Sequence, residues 1–241
     1  MKYSIKIRNE YGINKIMFER LVMAILIAVS SLSVYAKNPE DTDPAYKLTV
    51  RTVFEKIQNS SLEILPVSTR LDMLDYWDVD SVYKAINALG GVSYIESMSS
   101  NYMKVKISRV SSLEIKILPV KKGELILTIY TVGDSPQAKD SELKFFDEDL
   151  NELPSDKYFV MPQLKDFFEI PKGSQTSMKE LELMIPFPTI EYTANADSNN
   201  LKATLTVEEY MDIDDWNIAK MFVKPYITMD WTKDKFRYSK H

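Results

Sequence analysis

The stretch from Tyr102 to Phe146 limits this chain more than any other. Met103, Val105 and Ile107 alternate with Lys104 and Lys106, and Leu113, Ile115 and Ile117 alternate with Glu114 and Lys116. Alternation with a period of two places one face on a core and the other in water. Leu125 to Val132 is apolar on both faces except at Thr128 and Thr131, which marks it as the most buried strand. Lys121-Lys122-Gly123 supplies the left-handed residue of a short hairpin loop between two such runs. Strands are expected over 93–98, 102–109, 113–120, 124–132 and 142–146. The fold class is therefore α+β, an antiparallel meander with short helices packed on one face.

The first 36 residues read as a secretory signal rather than as part of the fold. Lys2, Lys6, Arg8, Lys15 and Arg20 precede an apolar run from Leu21 to Val34, with Val34 and Ala36 at the small-residue positions before Lys37. Either Met1 or Met17 serves as the start in this reading. The apolar run falls short of the ~20 residues a membrane span needs, so no transmembrane anchor is expected after cleavage. With no cysteine near the cleavage site, the exported product is not expected to be a lipoprotein. Its place is the periplasm or the cell surface.

Cysteine is absent from all 241 residues, so stability has to come from the core instead of disulfides. Residues 37–241 are long enough to bury roughly 70% of their unfolded surface. One α+β domain, or two similar lobes over 45–155 and 156–241, both fit. Removing the signal takes away five basic and two acidic residues, leaving 25 basic and 33 acidic side chains. Such a surface repels nucleic acid and anionic headgroups.

Flanking the meander, an amphipathic helix is expected over 47–58. A second, over 70–76, would be capped by Ser68 or Thr69. A third, over 81–89, would be capped by Asp80, with Val82, Ile86 and Leu89 on its buried face and Gly90-Gly91 as its stop. Further along, 178–184 reads as a helix, and 189–194 and 201–209 as a strand pair. Tyr226 to Trp231 and Phe236 to Tyr238 form a closing hairpin over Lys233-Asp234. The second half thus echoes the first: strand pair, acidic turn, then a strand ending in an aromatic.

The catalytic inventory is thin. His241, the last residue, is the only histidine, so imidazole-based triads and zinc, copper or haem sites lack their groups. With six glycines and no phosphate-loop motif, nucleotide binding is disfavoured. Carboxylates remain. Asp72, Asp75, Asp78 and Asp80 could meet around calcium, or serve a carboxylate-dependent hydrolase. The spacing fails the EF-hand template, because counting from Asp78 puts Tyr83 at the sixth position and Leu89 at the twelfth. Helix capping and a solvated face, with Asp75 paired to Arg70, explain these acids more simply. Asp212, Asp214 and Asp215 are read the same way. Tyr76, Trp77 and Trp231 are the aromatic candidates for a ligand face. The lysine-dotted strand 102–109 is expected to protect a sheet edge by charge.

Several of these segments carry a resemblance. The run Arg70 to Tyr76, Asn87 to Gly91, Leu113 to Pro119, Asp140-Ser141 through Asp147, and the spacing Tyr226, Trp231, Phe236 resemble a domain-of-unknown-function family of small secreted Bacteroidales proteins. The resemblance implies export to the cell envelope and carries no catalytic residue. The expected function is a non-catalytic binding or accessory protein with an envelope protein or peptide as partner. The other expectation is the hydrolase or calcium protein centred on Asp72 to Asp80.

Overall fold

A computed structural model describes residues 48–58, 62–79, 83–136, 138–185 and 187–238. The expected signal and leader, Asp80 and His241 lie outside the described residues. Among those described, no helix is long and apolar enough to cross a membrane.

The meander forms as its alternation requires. Strands β1 (Ala85–Ile86), β2 (Val92–Met98), β3 (Tyr102–Lys106), β4 (Ser111–Pro119), β5 (Glu124–Val132), β6 (Asp140–Phe146) and β7 (Glu152–Leu153) make a seven-stranded antiparallel sheet in sequence order. The β4–β5 ladder pairs Ser111 with Val132 at one end and Pro119 with Glu124 at the other. Gly123 turns the hairpin with φ 89°, and a Cβ there would collide with Glu148 Oε1. That oxygen accepts the Glu124 amide at 2.7 Å, so the loop is closed by a side chain from beyond β6.

Helices cover one face. Helix α1 (Val50–Lys56) begins in a reciprocal cap between Thr49 and Thr52 and buries Val50, Val53 and Phe54 on β3 and β4. Helix α2 (Val67–Trp77) packs on β1 and β2 through Met73 and Leu74. It starts earlier than expected: Pro66 stands at its cap position, and neither Ser68 nor Thr69 caps it. A proline serves there because a cap residue needs only its carbonyl, which accepts the Arg70 amide at 3.0 Å, and no N–H.

A third helix does not form in the described part of 81–89. Ala85 and Ile86 pair with Ser93 and Val92 instead, and Ile86 and Leu89 are exposed rather than buried. The cause is Asn87. Its Oδ1 accepts the amides of Leu89 and Gly91, both at 3.0 Å, and this closes a turn where a helix would have continued. Residues 80–82 lie outside the described set.

A second sheet covers the other face. Strands β8 (Ile190–Ala194), β9 (Leu201–Leu205), β10 (Ile227–Trp231) and β11 (Phe236–Tyr238) pair in the order β11-β10-β9-β8. Short helices α3 (Ser155–Tyr158), α4 (Met178–Met184) and α5 (Ile213–Ala219) lie in the connections, and Asp212 caps α5. Leu118, Leu127, Ile129 and Phe145 of the first sheet share a core with Tyr192, Ala203, Ile227, Met229 and Phe236 of the second. Met103, Val105, Leu113 and Ile115 face the helices. The layers are thus helices, large sheet, small sheet, and β4 and β5 are buried on both faces.

Two expectations are corrected by that arrangement. Strand β3 is not an edge but lies between β2 and β4. Glu114 and Lys116 do not face water: each is nearly inaccessible under the second sheet.

Candidate functional site

Only part of the helix-side face is roofed. Beyond β4, the side chains of Thr128 and Tyr130 on β5 pair across to Lys144 and Glu142 on β6 and floor a cavity of about 450 Å³. Ile57, Leu62, Ile64, Leu89, Leu113 and Phe146 supply its apolar walls, and Glu63 joins the polar floor groups. This combination of apolar walls and a few convergent polar groups is the usual make-up of a ligand groove. Lys144 lies 3.8 Å from Glu142 and 4.0 Å from Glu152, exposed pairs of little energetic weight that leave all three groups available to a ligand.

Asn87 builds the rim. It is buried, and its Nδ2 donates to Ser93 Oγ at 3.1 Å and to the Ile107 carbonyl at 3.0 Å. With both ends of its amide held, the turn is fixed to β2 and to the end of β3. The Ala88 amide donates to the Ile64 carbonyl at 3.0 Å, which joins the turn to the connector after α1. Leu89 is thereby held at the groove mouth, 82% exposed. There its side chain joins Ile57, Leu62 and Ile64 in the apolar lining of the groove.

The second polar feature is the junction between the sheets. The outward amides of β8 meet side-chain oxygens of the large sheet: Ile190 donates to Asp140 Oδ1, Tyr192 to Ser141 Oγ and Ala194 to Glu114 Oε2. Lys116 Nζ donates to the Ala196 carbonyl at 3.0 Å. An edge strand that would otherwise offer bare donors is closed this way. Burial pushes the Glu114 carboxyl up to about 7, against the pull of the Ala194 amide and Lys104. Burial and the Glu114 charge raise the Tyr102 hydroxyl, and burial lowers Lys116. These groups are sealed from substrate, so their role is to join the sheets.

The residues singled out from sequence are not brought together. Tyr76 and Trp77 lie at the end of α2. Tyr76 stacks on Tyr83 with ring centres 4.2 Å apart, and Trp77 packs on the helix-side core. Trp231 belongs to the second sheet, where its Nε1 donates to the Pro119 carbonyl at 3.0 Å. Asp72 and Asp75 are exposed on α2. Asp78 accepts both Arg51 Nη1 and Nη2, at 3.3 and 2.9 Å, and ties the end of α2 to α1. Arg70 points inward, donating to the Phe54 carbonyl at 2.5 Å. Among the described residues, no group of three or more histidine, cysteine or acidic side chains could hold a metal ion. Sequence reasoning gave Asn87 and Lys144 no role and placed Leu89 on the buried face of a helix. The Asn-x-x-Gly-Gly turn signature was the signal that could have found Asn87 and Leu89.

The architecture defines an antiparallel α+β protein in which a helix layer leaves half of one sheet face open. The chain belongs to a family described as "Protein of unknown function (DUF3256)", whose model matches residues 46–236. No curated protein matches it. Among solved structures it resembles a domain of an uncharacterized protein from Porphyromonas gingivalis W83, with TM-score 0.66 and 18% identity over 80% of this chain and 98% of that one. At that identity the likeness speaks for the fold alone.

Proposed function

We propose that this protein is an exported, non-catalytic binding or accessory protein of the bacterial cell envelope. In this proposal it holds a peptide segment of a partner protein in the groove over β5 and β6. The groove itself is the supporting observation: apolar walls, a floor of alternating charge, and Leu89 presented at its mouth by the Asn87 turn. An extended peptide offers the complementary chemistry, because its apolar side chain fits between Leu89 and Phe146 while its charged neighbours meet Glu142 and Lys144. Export rests on the basic residues and apolar run that begin the chain, and a surface rich in carboxylates suits a life outside nucleic acid. The test is binding of a partner by purified residues 37–241, compared with Leu89→Asp. A stable protein that holds no partner or peptide, or one whose binding ignores Leu89→Asp, overturns the reading.

A further inference from the structure

A second cavity, of about 580 Å³, opens at the end of the sandwich opposite in character to the groove. Three chain segments bring its lysines. The β4–β5 loop brings Lys121 and Lys122, α3 brings Lys157, and the β10–β11 loop brings Lys233. Their convergence is fixed by bonds already in the fold: Trp231 Nε1 to the Pro119 carbonyl joins the two hairpins, and Lys235 Nζ to the Asp156 carbonyl at 2.6 Å joins the second hairpin to α3. Lys233 and Asp234 both take positive φ, 52° and 59°, so the two-residue turn has one defined shape.

The base of this cavity is apolar. Val120, Leu125, Leu153 and the ring of Tyr158 line it, and Leu125 and Tyr158 are themselves part of the core between the sheets. Lysine stems suit such walls, since their methylenes cover apolar surface while the ammonium stays at the rim. Among the described residues none of the four lysines lies in an ion pair. Glu124, Asp147 and Asp234 also reach the lining, but Asp147 is turned into its own loop, accepting from Asn151 Nδ2 and from the amides of Asp149 and Asn151. With four lysines against Glu124, Asp147 and Asp234, the lining carries a net charge of +1 (four minus three) in a chain of net charge −5.

From the lysine rim above an apolar base, we infer that this cavity binds an amphiphilic anion, a single negatively charged head on an alkyl chain. The head sits among Lys121, Lys122, Lys157 and Lys233 and the chain descends toward Leu125 and Tyr158. A purely ionic ligand leaves the base unused, and a purely apolar one gives the lysines no anion, Lys157 meeting only the Tyr158 ring 5.0 Å from its Nζ.

Calorimetric titration of purified residues 37–241 tests this with three probes at equal ionic strength: decanoate below its micellar concentration, 1-decanol, and inorganic phosphate. Decanoate is expected to bind at least roughly tenfold more tightly than either other probe, and to weaken as salt is raised. Lys122→Gln combined with Lys157→Gln should weaken decanoate by roughly tenfold with an unchanged melting temperature, since both side chains are exposed. Lys121→Gln combined with Lys233→Gln gives a second reading of the same rim. No decanoate binding, decanol or phosphate binding as tight as decanoate, or indifference to both lysine pairs overturns the inference.

Discussion

The Ala194 amide donates to Glu114 Oε2 at 2.8 Å across the junction of the two sheets. One residue belongs to the centre of the large meander and the other to the edge of the small sheet, 80 positions later in the chain. The contact explains why a carboxylate stands in a strand buried on both faces. It satisfies a strand-edge donor that would be buried without a partner, a loss costing about 1–3 kcal/mol.

A pH dependence follows. The Glu114 carboxyl is raised to about 7 from an unfolded value of 4.5, so between those limits the native protein holds a proton the unfolded chain has released. Stability from this group therefore falls as pH rises from 4.5 through 7. Its full extent is on the order of 3 kcal/mol. Glu114→Gln keeps an acceptor for Ala194 and cannot ionise. Thermal unfolding at pH 5 and pH 8 should show the wild type losing stability across that interval and the variant losing much less. Parallel slopes would count against the buried carboxyl.

Asn87→Ala should destabilise the protein by about 2–3 kcal/mol, because the amides of Leu89 and Gly91 both lose their acceptor. Chemical denaturation measures the loss, and peptide binding should weaken with it as Leu89 leaves its fixed place. Full binding in Asn87→Ala would separate the turn from the groove.

Phe145 packs between the sheets within 5.4 Å of the Tyr158 ring centre and 6.5 Å of that of Phe236. Phe145→Ala should cost about 3–5 kcal/mol, measured by denaturant midpoint at constant slope. Gly123→Ala should cost less, about 1–2 kcal/mol, because its positive φ disfavours a side chain while the nearest obstacle is the movable Glu148 carboxylate. Adding Glu148→Ala to Gly123→Ala should not recover that loss, since the backbone strain remains and the Glu124 amide loses its acceptor.

Much of the fold was legible because strand alternation is a local signal. The five strands from Val92 to Phe146, the turn at Gly123, and the last hairpin over Lys233-Asp234 all follow from residues near one another. What covers a face is not local. Glu114 and Lys116 have the polar alternation of a solvated face, yet a sheet built from residues 190–238 closes over them. The apolar spacing of Ile86 and Leu89 fits a helix equally well, and only the Asn87 side chain, accepting the Leu89 and Gly91 amides and donating to the Ile107 carbonyl, decides for a turn. The groove was illegible for a related reason. Its floor and its rim come from segments about 50 residues apart, while the conspicuous aromatics Tyr76, Trp77 and Trp231 took structural places on different layers.

The most direct test of the binding account is site-specific photo-crosslinking in the native envelope fraction. One protein carries the crosslinking residue in place of Leu89 at the groove mouth. A second carries it in place of Ile213, which is also exposed but lies on the second sheet's side. The account predicts one stoichiometric adduct from position 89, absent from position 213 and lost when Lys144→Glu is added. Equal adducts from both positions, or none from position 89, would contradict it.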